Sequence, residues 1–402
     1  MNKKVVSLAL AGVLAAGAAT MVMADEIKVW VPEATQEFTQ QQIDAFKEAN
    51  PDYAGFDYTI EAVGEGDAAS NMITDVEGGA DVYNFPQDQL ARLVAVGALT
   101  PVMGDAADWV IEQNDEGSVS AATMSDTIYA YPLTSDNGYF MYYDSSVVTD
   151  PTNLEAILAD CEAAGKGFYF EINSGWYQVA FFFGTGCELT YETDDMGNFT
   201  AANVTYASEE GVAALKAMIT LSQSTAFNNG SSVSNAANCA AIVDGTWDAA
   251  AAQEMFGENY AVAKLPTFNV DGTDYQMGGF SGFKLIGVKP QTDADKLAAC
   301  QALAQYLSSE EVQLARYEAV QWGPSNKAAQ QNEEVQANEA LAALAEQIQF
   351  DIPQGQYPGD YWTLATSLGD SVISGDYTDA SDEDLMAALQ TFQDTCISYA
   401  AG

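Results

Sequence analysis

The sequence contains no histidine, and this absence excludes several kinds of site. Histidine is the side chain used most often as a general base and as a metal ligand. Without it, neither a Ser–His–Asp nor a Cys–His nucleophile arrangement can form, and a zinc site loses its usual ligand. Hydrolysis of a glycoside by two carboxylates needs no histidine, so a secreted glycosidase stays open as an alternative.

Basic residues are scarce. Thirteen Lys and Arg stand against 58 Asp and Glu, which gives a formal net charge of −45. Without residues 1–24, which hold two lysines and no acid, 11 basic residues remain and the net charge is −47. Nucleic acids are bound mainly through Lys and Arg that neutralise phosphate. We therefore expect no nucleic-acid partner and no anionic substrate, and we interpret the acidity as a well-solvated surface.

Long apolar runs are absent after Val5–Met23, so no later segment is long enough to span a bilayer. Two lysines precede this run, and the small residues Val22 and Ala24 follow a signal-peptidase pattern. The pattern predicts an export signal cleaved near Ala24, with an uncleaved anchor as the alternative. No cysteine precedes Cys161, so a lipid-attachment cysteine is missing. We expect an extracytoplasmic protein, in the periplasm or at the outer cell surface.

Cysteines are few and widely spaced, which does not resemble a metal cluster. In an exported chain they predict one or two disulfides with one thiol left over. The five are Cys161, Cys187, Cys239, Cys300 and Cys396.

Short apolar strands alternate with helical patterns near the start of the chain. Ile27–Val31 is a predicted strand, and Thr35–Ala49 is a predicted helix that Asn50 and Pro51 end. Such alternation predicts an α/β fold with a mainly parallel sheet. Ligands bind at the carboxyl ends of such strands. Two such ends lie at Trp30–Glu33 and Asn84–Asp88.

Two later segments carry predictions of their own. Trp176–Thr185 is a predicted helix. Glu188–Asn203 is rich in Asp and Asn, but it lacks the ligand spacing of an EF-hand calcium loop. We therefore interpret this second segment as a solvated hairpin.

Several segments, weak one by one, together follow the order found in a known family. The chain resembles the extracellular solute-binding proteins of ABC sugar importers (family 1), the group that includes the maltose and maltodextrin receptors. The segments are IKVWVPEA, ADVYNFPQDQLARLVAVGAL, YAYPLTSDNGYFMYYD, AIVDGTW, GGFSGFKLIGV and WGPSN.

The resemblance implies a fold class and a division of the chain. The fold would be α/β, a two-lobe periplasmic-binding-protein-like fold of the class II type, with the lobes joined by three hinge crossings. After a signal peptide at 1–24, the N-lobe would comprise residues 25–133 plus 283–322. The C-lobe would comprise residues 137–278 plus 326–402.

The resemblance also implies a sugar site. Sugars offer apolar ring faces and hydroxyl edges, which suit aromatic rings beside carboxylates and amides. The matching positions are Glu33, Phe85, Asp88, Gln89, Asp136, Asn137, Trp176, Trp247 and Trp362.

The aromatic part of this expected site follows the family more closely than the charged part. Phe85, Trp176, Trp247 and Trp362 fall where the family has stacking rings. Gln89 stands where the family has an arginine, so one charged hydrogen bond is missing. Three other tryptophans have plainer interpretations: Trp30 as core, and Trp109 and Trp322 as packing or surface residues.

The function implied by the resemblance is transport rather than catalysis. The protein would bind a neutral oligosaccharide, first of all maltose or maltodextrin, in a cleft between its lobes. It would deliver the sugar to the permease subunits of an ABC importer, as a monomer and without a cofactor or metal. The alternatives are a receptor for a xylo- or galacto-oligosaccharide, a secreted two-carboxylate glycosidase, and a surface protein with no role in transport.

Overall fold

The computed structural model describes residues 25–400, so the predicted signal peptide and its cleavage site lie outside the described residues. The strands are β1 Glu26–Val31, β2 Asp57–Ala62, β3 Val82–Pro86, β4 Thr123–Met124, β5 Thr127–Ile128, β6 Ala130–Thr134, β7 Phe140–Asp144, β8 Gly167–Tyr169, β9 Leu189–Thr193, β10 Phe199–Val204, β11 Phe227–Asn228, β12 Cys239–Asp244, β13 Tyr260–Ala263, β14 Thr267–Val270, β15 Thr273–Gln276, β16 Phe280–Ser281, β17 Lys284–Val288 and β18 Ile352–Pro353. The helices are α1 Gln36–Ala49, α2 Glu65–Thr74, α3 Leu90–Ala95, α4 Asp105–Gln113, α5 Glu116–Ala121, α6 Leu154–Ala164, α7 Val179–Gly184, α8 Glu209–Gln223, α9 Ala249–Phe256, α10 Ala294–Leu307, α11 Glu310–Val320, α12 Glu333–Gln336, α13 Glu339–Gln347, α14 Gly359–Ser374 and α15 Asp382–Ser398.

The first lobe is built on a five-stranded sheet in the order β2-β1-β3-β17-β6. The strands β2, β1 and β3 are parallel, as their alternation with helices predicts. Strands β17 and β6 run antiparallel to their neighbours, so the sheet is mixed rather than wholly parallel. The chain therefore returns to the first sheet after a long excursion, and β17 is the returning strand.

The second lobe is built on a five-stranded sheet in the order β11-β8-β12-β7-β13. Strands β11, β8 and β12 are parallel, whereas β7 is antiparallel to β12 and to β13. One large apolar cluster covers one face of this sheet and a smaller cluster covers the other. A separate cluster forms the core of the first lobe. Each lobe thus has its own core, which is what an independently packed domain needs.

The chain passes between the lobes at three places that lie side by side. The backbone N–H of Ser135, in the first crossing, donates to the carbonyl of Gly323 in the third, at 3.0 Å. The N–H of Asn137 donates to the carbonyl of Gly282 in the second crossing, at 3.1 Å. These hydrogen bonds hold the three crossings next to one another, so the lobes are joined by three adjacent backbone segments.

Local sequence signals fix many helix ends. Helix α1 ends at Ala49, and Asn50 donates its side-chain amide to the carbonyl of Phe46 at 2.9 Å, as the predicted stop requires. Helix α15 begins with a capping box in which Ser381 and Asp384 satisfy each other's backbone N–H groups. The predicted helix Trp176–Thr185 is shorter than expected, because α7 begins only at Val179. Trp176 therefore lies in the turn before the helix.

The prediction of disulfides is wrong for this structure, because all five cysteines are free. Cys161, Cys187 and Cys396 lie in the large core of the second lobe, and Cys300 lies in the first-lobe core. Buried thiols of this kind pack as small apolar side chains. Burial raises the pKa of the Cys161, Cys300 and Cys396 thiols to about 12, so these thiols stay protonated.

Within residues 25–400, no helix is both long enough and apolar enough to cross a membrane. Over the same range, no group of three or more Cys, Asp and Glu side chains is arranged to hold a metal ion. The predicted acidic segment Glu188–Asn203 folds largely into the antiparallel hairpin of β9 and β10.

Candidate ligand-binding site

A cavity of about 570 Å³ lies between the lobes, which is within the size range of small-molecule sites. On the first lobe it meets Pro32 after β1 and Pro86 at the end of β3, so it opens at the carboxyl ends of parallel strands. On the second lobe it meets turns that follow β8 and β12 and the first turn of α14.

The second-lobe wall is aromatic. Trp176, Tyr177, Trp247 and Trp362 all line the cavity. The Trp176 and Trp247 ring centroids are 5.9 Å apart, and Trp362 packs edge-on against Tyr361 at 4.8 Å. Trp176 is further fixed by its indole N–H, which donates to Gln354 Oε1 at 3.1 Å. Rings held in this way present large, rigid faces at low entropic cost.

Trp247 is held against the backbone of the turn that carries it. It lies in a single 3₁₀ turn, Thr246–Asp248, directly after β12. A Cβ added to Gly245 would lie only 2.1 Å from Cη2 of the indole and 2.2 Å from Cζ3. Only glycine permits this close approach, so the Asp244-Gly245 step of the sequence positions the ring.

The first-lobe wall is polar and begins with Asp88 and Gln89. The Gln89 amide donates to the Asp88 carboxylate. Both residues are almost fully buried and both line the cavity. Burial raises the pKa of Asp88 to about 7, although the hydrogen bond from Gln89 and the nearby Arg92 act in the opposite direction. The Asp88 side chain does not cap a helix.

Arg92 provides a cation that the sequence comparison did not predict. It lies one turn after Gln89 on α3, and its Nη1 donates to Gln89 Oε1 at 2.5 Å. The guanidinium also lies against Gly359 of the second lobe, where an added Cβ would lie 2.7 Å from Nη2. Although Gln89 replaces the family's arginine, a positive charge therefore still reaches this wall.

A buried ion pair, Lys284 with Glu65, lines the cavity. Lys284 Nζ, at the start of β17, lies 3.4 Å from Glu65 Oε2, with side-chain exposures of 6% and 15%. The ammonium also lies 3.9 Å from the Trp322 ring centroid and 4.8 Å from that of Trp247. Burial raises the pKa of Glu65, and the neighbouring Lys284 opposes that rise. Lys284 therefore contacts the Trp247 indole of the second lobe as well as its first-lobe partner Glu65.

Glutamine side chains connect the lobes beside the cavity. Gln356 Oε1 accepts from the Ala91 N–H at 2.8 Å, and Gln356 Nε2 donates to the Gln87 carbonyl at 2.8 Å. Gln354 Oε1 accepts from the Trp176 indole at 3.1 Å, and the Gln354 carbonyl accepts from Gln87. These contacts hold the two walls together, so the structure has the lobes in contact around the cavity.

The remaining predicted residues are not all at the cavity. Phe85 is fully buried in the first-lobe core beside Tyr83, at 5.7 Å between ring centroids, so its ring is not a platform for a ligand. In β3 the Phe85 side chain faces the first-lobe core, whereas the resemblance implied that it faces the cleft. Glu33 is exposed in the turn after β1, and its neighbours Pro32 and Ala34 line the cavity instead.

Asp136 and Asn137 lie in the first crossing and have different roles. Asn137 lines the cavity. Asp136 is buried, and its carboxylate accepts from Thr246 at 2.5 Å and from the Gly323 N–H at 2.6 Å. Asp136 thus ties two crossings to the turn that carries Trp247, which is a supporting role rather than a contact with a ligand.

Sequence reasoning missed several cavity residues, and only some left a signal. Lys284 is a charge at the start of the apolar strand KLIGV, which is unusual enough to be noticed. Trp322, interpreted as packing or surface, lines the cavity although it is only 3% exposed. Gln354 and Gln356 carried no signal, because their role depends on contacts with distant parts of the chain.

The fold and the position of the cavity define the class of protein. Two α/β lobes joined by three crossings, with a ligand-sized cavity between them, make a two-lobe binding protein of the periplasmic type. Residues 41–343 match the family described as bacterial extracellular solute-binding protein, and the chain belongs to that family.

Individual relatives agree with this membership. The galactooligosaccharide-binding protein of Bacillus subtilis (strain 168) is 23% identical over 330 residues, which cover 74% of this chain and 73% of that protein. A solved structure described as containing acarbose is 29% identical, with a TM-score of 0.80, and the match covers 94% of this chain and 99% of that one. The maltodextrin-binding protein MalE1 from L. casei BL23 is 21% identical, with a TM-score of 0.75 and coverage of 94% and 100%.

Proposed function

We propose that this protein is an extracytoplasmic receptor that binds a neutral oligosaccharide between its lobes and delivers it to the permease of an ABC importer. The observation that carries the proposal is the wall of Trp176, Trp247 and Trp362, which faces Asp88 and Gln89 across the cavity. Aromatic faces stack on sugar rings, while carboxylate and amide groups bind hydroxyls. In this role the protein acts as a monomer, without a cofactor, a metal or catalysis.

Maltose or a maltodextrin is the first ligand to test. Each stacked ring contributes roughly 0.5–1.5 kcal/mol beyond burial. Three such rings with hydrogen bonds are compatible with micromolar affinity, which corresponds to about −8 kcal/mol. The structural relative at 29% identity contains acarbose, and fold relatives include maltodextrin-binding proteins. These likenesses support an α-glucan or a related chain.

A galacto-oligosaccharide is the second candidate. It is favoured by the relative from Bacillus subtilis, whose description names that sugar. The first-lobe wall also differs from the pattern of the maltose receptors, because Gln89 replaces an arginine and Phe85 is buried. Hydroxyl-binding groups decide which sugar fits, so this difference bears directly on specificity.

Two further features belong to the proposal. The lobes are divided at residues 25–133 plus 283–322 and 137–278 plus 326–402, and the mature chain starts near Asp25. Ligand binding favours the conformation in which the two walls meet, as in other receptors that close around a hinge. The ligand shifts this equilibrium only through its better contacts in the closed state.

Isothermal titration of the chain from Asp25 onwards tests the proposal. The panel contains maltotriose, a galacto-oligosaccharide and a xylo-oligosaccharide of the same length. Micromolar binding to one of them supports the receptor and identifies its sugar. Release of shorter products during the incubation would instead support a glycosidase, and absence of binding to any neutral sugar would contradict the proposal.

A further inference from the structure

A second cavity, of about 770 Å³, adjoins the first and shares one lining residue with it. Its first-lobe side is the end of α3, including Ala95. Its second-lobe side is the turn and the start of β10, at Asn198–Thr200, together with Tyr399 just after α15. Like the first cavity, it is bordered by both lobes, and its volume is within the range of small-molecule sites.

The two cavities share Arg92, which lines both. Its half-buried side chain reaches from α3 to Gly359, the first residue of α14, and contacts both spaces. A long, unbranched side chain can change rotamer at modest cost, unlike a backbone segment. The residue common to the two cavities is therefore a side chain, and a ligand that spans both cavities has to pass it or break its hydrogen bond to Gln89.

The second cavity has the same combination of side chains as the first. It presents the rings of Phe199 and Tyr399, the amide of Asn198 and the hydroxyl of Thr200. The Asn198 amide is held by Asp194, to which its Nδ2 donates at 3.0 Å. Aromatic faces beside amide and hydroxyl groups suit a neutral sugar unit, and do not suit a purely apolar ligand.

We propose that the second cavity extends the sugar site, so that it holds the further units of an oligosaccharide too long for the first cavity. The inference rests on the proposed function and adds a chain-length preference to it. Tyr399 and Phe199 are the stacking residues of the extension, and Arg92 is the residue that the chain passes. A short sugar occupies only the first cavity.

The test compares the dissociation constants of short and long members of the sugar series that the receptor binds, from the disaccharide to the hexasaccharide. We expect the longest chains to bind about fivefold more tightly than the disaccharide, since one further stacked ring contributes on that scale. Ala95→Trp fills the second cavity from an exposed helix position, so it should remove this increment without disturbing either core. Disaccharide affinity should stay within about twofold of wild type, because Ala95 does not line the first cavity.

Two further variants complete the design. Ala163→Trp is the matched control, because Ala163 is an exposed helical alanine that lines neither cavity, and it should keep the full increment. Tyr399→Ala should reduce the increment, whereas Tyr399→Phe should retain it because the ring remains. Equal affinity for all chain lengths, or an increment that survives Ala95→Trp, would overturn this inference alone. Absence of sugar binding altogether would overturn the proposed function and this inference with it.

Discussion

The two walls of the first cavity are built on different principles. The second-lobe wall is aromatic, with Trp176, Trp247 and Trp362 each held by its own turn or helix start. The first-lobe wall is polar, and its charges come from elements far apart in the sequence, such as Arg92 on α3 and Lys284 on β17. An aromatic wall can be recognised from short segments, whereas a charged wall needs the assembled sheet.

Because the walls differ, substitutions in one should change the free energy of ligand binding, and substitutions in the other the free energy of unfolding. Stacking faces act through the area they cover, so their loss is felt mainly in ligand affinity. The pair of Lys284 and Glu65 is largely removed from solvent, so its disruption is felt mainly in stability. Variants of the two walls should therefore fail in different assays.

The largest expected effect is on stability, from Lys284→Met. The substitution leaves the Glu65 carboxylate buried without its partner, which should lower the free energy of unfolding by about 3 kcal/mol. The double variant Lys284→Met/Glu65→Gln should recover part of this loss, because the orphaned charge is then gone. Urea unfolding measures all three proteins.

Lys216→Met is the matched control for that prediction. Lys216 also forms ion pairs, with Asp382 at 2.7 Å and Asp271 at 3.3 Å, but its partners are strongly exposed. Exposed pairs contribute roughly 0–1 kcal/mol, so this variant should stay close to wild type. Equal losses for Lys216→Met and Lys284→Met would show that burial does not distinguish the two pairs.

The next effect is on affinity, from the aromatic wall. Trp247→Ala and Trp362→Ala should each weaken sugar binding at least about tenfold, since each removes a stacking face worth ~1.4 kcal/mol with its buried area. Titration calorimetry measures the affinity, and circular dichroism checks that each variant is folded. Trp109→Ala serves as the control, because Trp109 packs against Tyr131 away from the cavity. Unchanged affinity in both cavity variants would remove these rings from the site.

A smaller loss of affinity should follow when the Trp247 ring is moved rather than removed. In Gly245→Ala the new methyl would meet the indole at 2.1 Å, so the ring has to shift. We expect about fivefold weaker binding, less than for Trp247→Ala. Gly55→Ala is the control, because no atom lies within 4 Å of its added Cβ. If Gly245→Ala binds like Gly55→Ala, the close approach is not what positions the ring.

The smallest effect should come from Asp88→Asn, and it should depend on pH. The pKa of Asp88 in the folded protein is about 7, above the ordinary value of about 4. The folded state therefore binds the extra proton between these values, and the contribution of Asp88 to stability is lost as pH rises from about 4 to about 7. Asp88→Asn removes this contribution, so the variant should lose less stability than wild type between pH 5 and pH 8.

Thermal melts at several pH values measure this difference. Asp351 also has a pKa raised by burial to about 7, so some pH dependence should remain in the variant. Asp150→Asn provides the control, because hydrogen bonds from Thr152 lower the pKa of that exposed carboxyl, so it stays ionised between pH 5 and pH 8 and the variant should follow the wild-type profile there. If the stability of Asp88→Asn depended on pH just as that of wild type does, the raised pKa of Asp88 would be contradicted. Asp88→Asn should weaken sugar binding less than Trp247→Ala or Trp362→Ala does.

The sequence predicted the fold well because its signals are local. The strand Ile27–Val31, the helix stop at Asn50 and the turn after Asp244 each depend on a few neighbouring residues. The two lobes and the three crossings were implied by the resemblance of several ordered segments to the solute-binding family, not by these local signals. The strand directions of β17 and β6 were not visible, because pairing between distant strands leaves no local pattern.

The site was predicted in part, for a related reason. Trp247 and Trp362 follow a strand end and a helix start, and both line the cavity. Phe85 shows the limit of segment matching, since a side chain inside a strand faces one side of the sheet or the other, and here it faces the core. Arg92 replaces a missing arginine from one helical turn away, which only the geometry of α3 could show.

Intrinsic tryptophan fluorescence tests most directly whether the cavity between the lobes is an oligosaccharide site. Four of the six tryptophans, Trp176, Trp247, Trp322 and Trp362, line this cavity, so a bound sugar must change their surroundings. We predict a saturable change in emission with maltodextrins or another neutral oligosaccharide, and a smaller change in Trp247→Phe. Emission that stays constant with every neutral sugar tested would contradict the account.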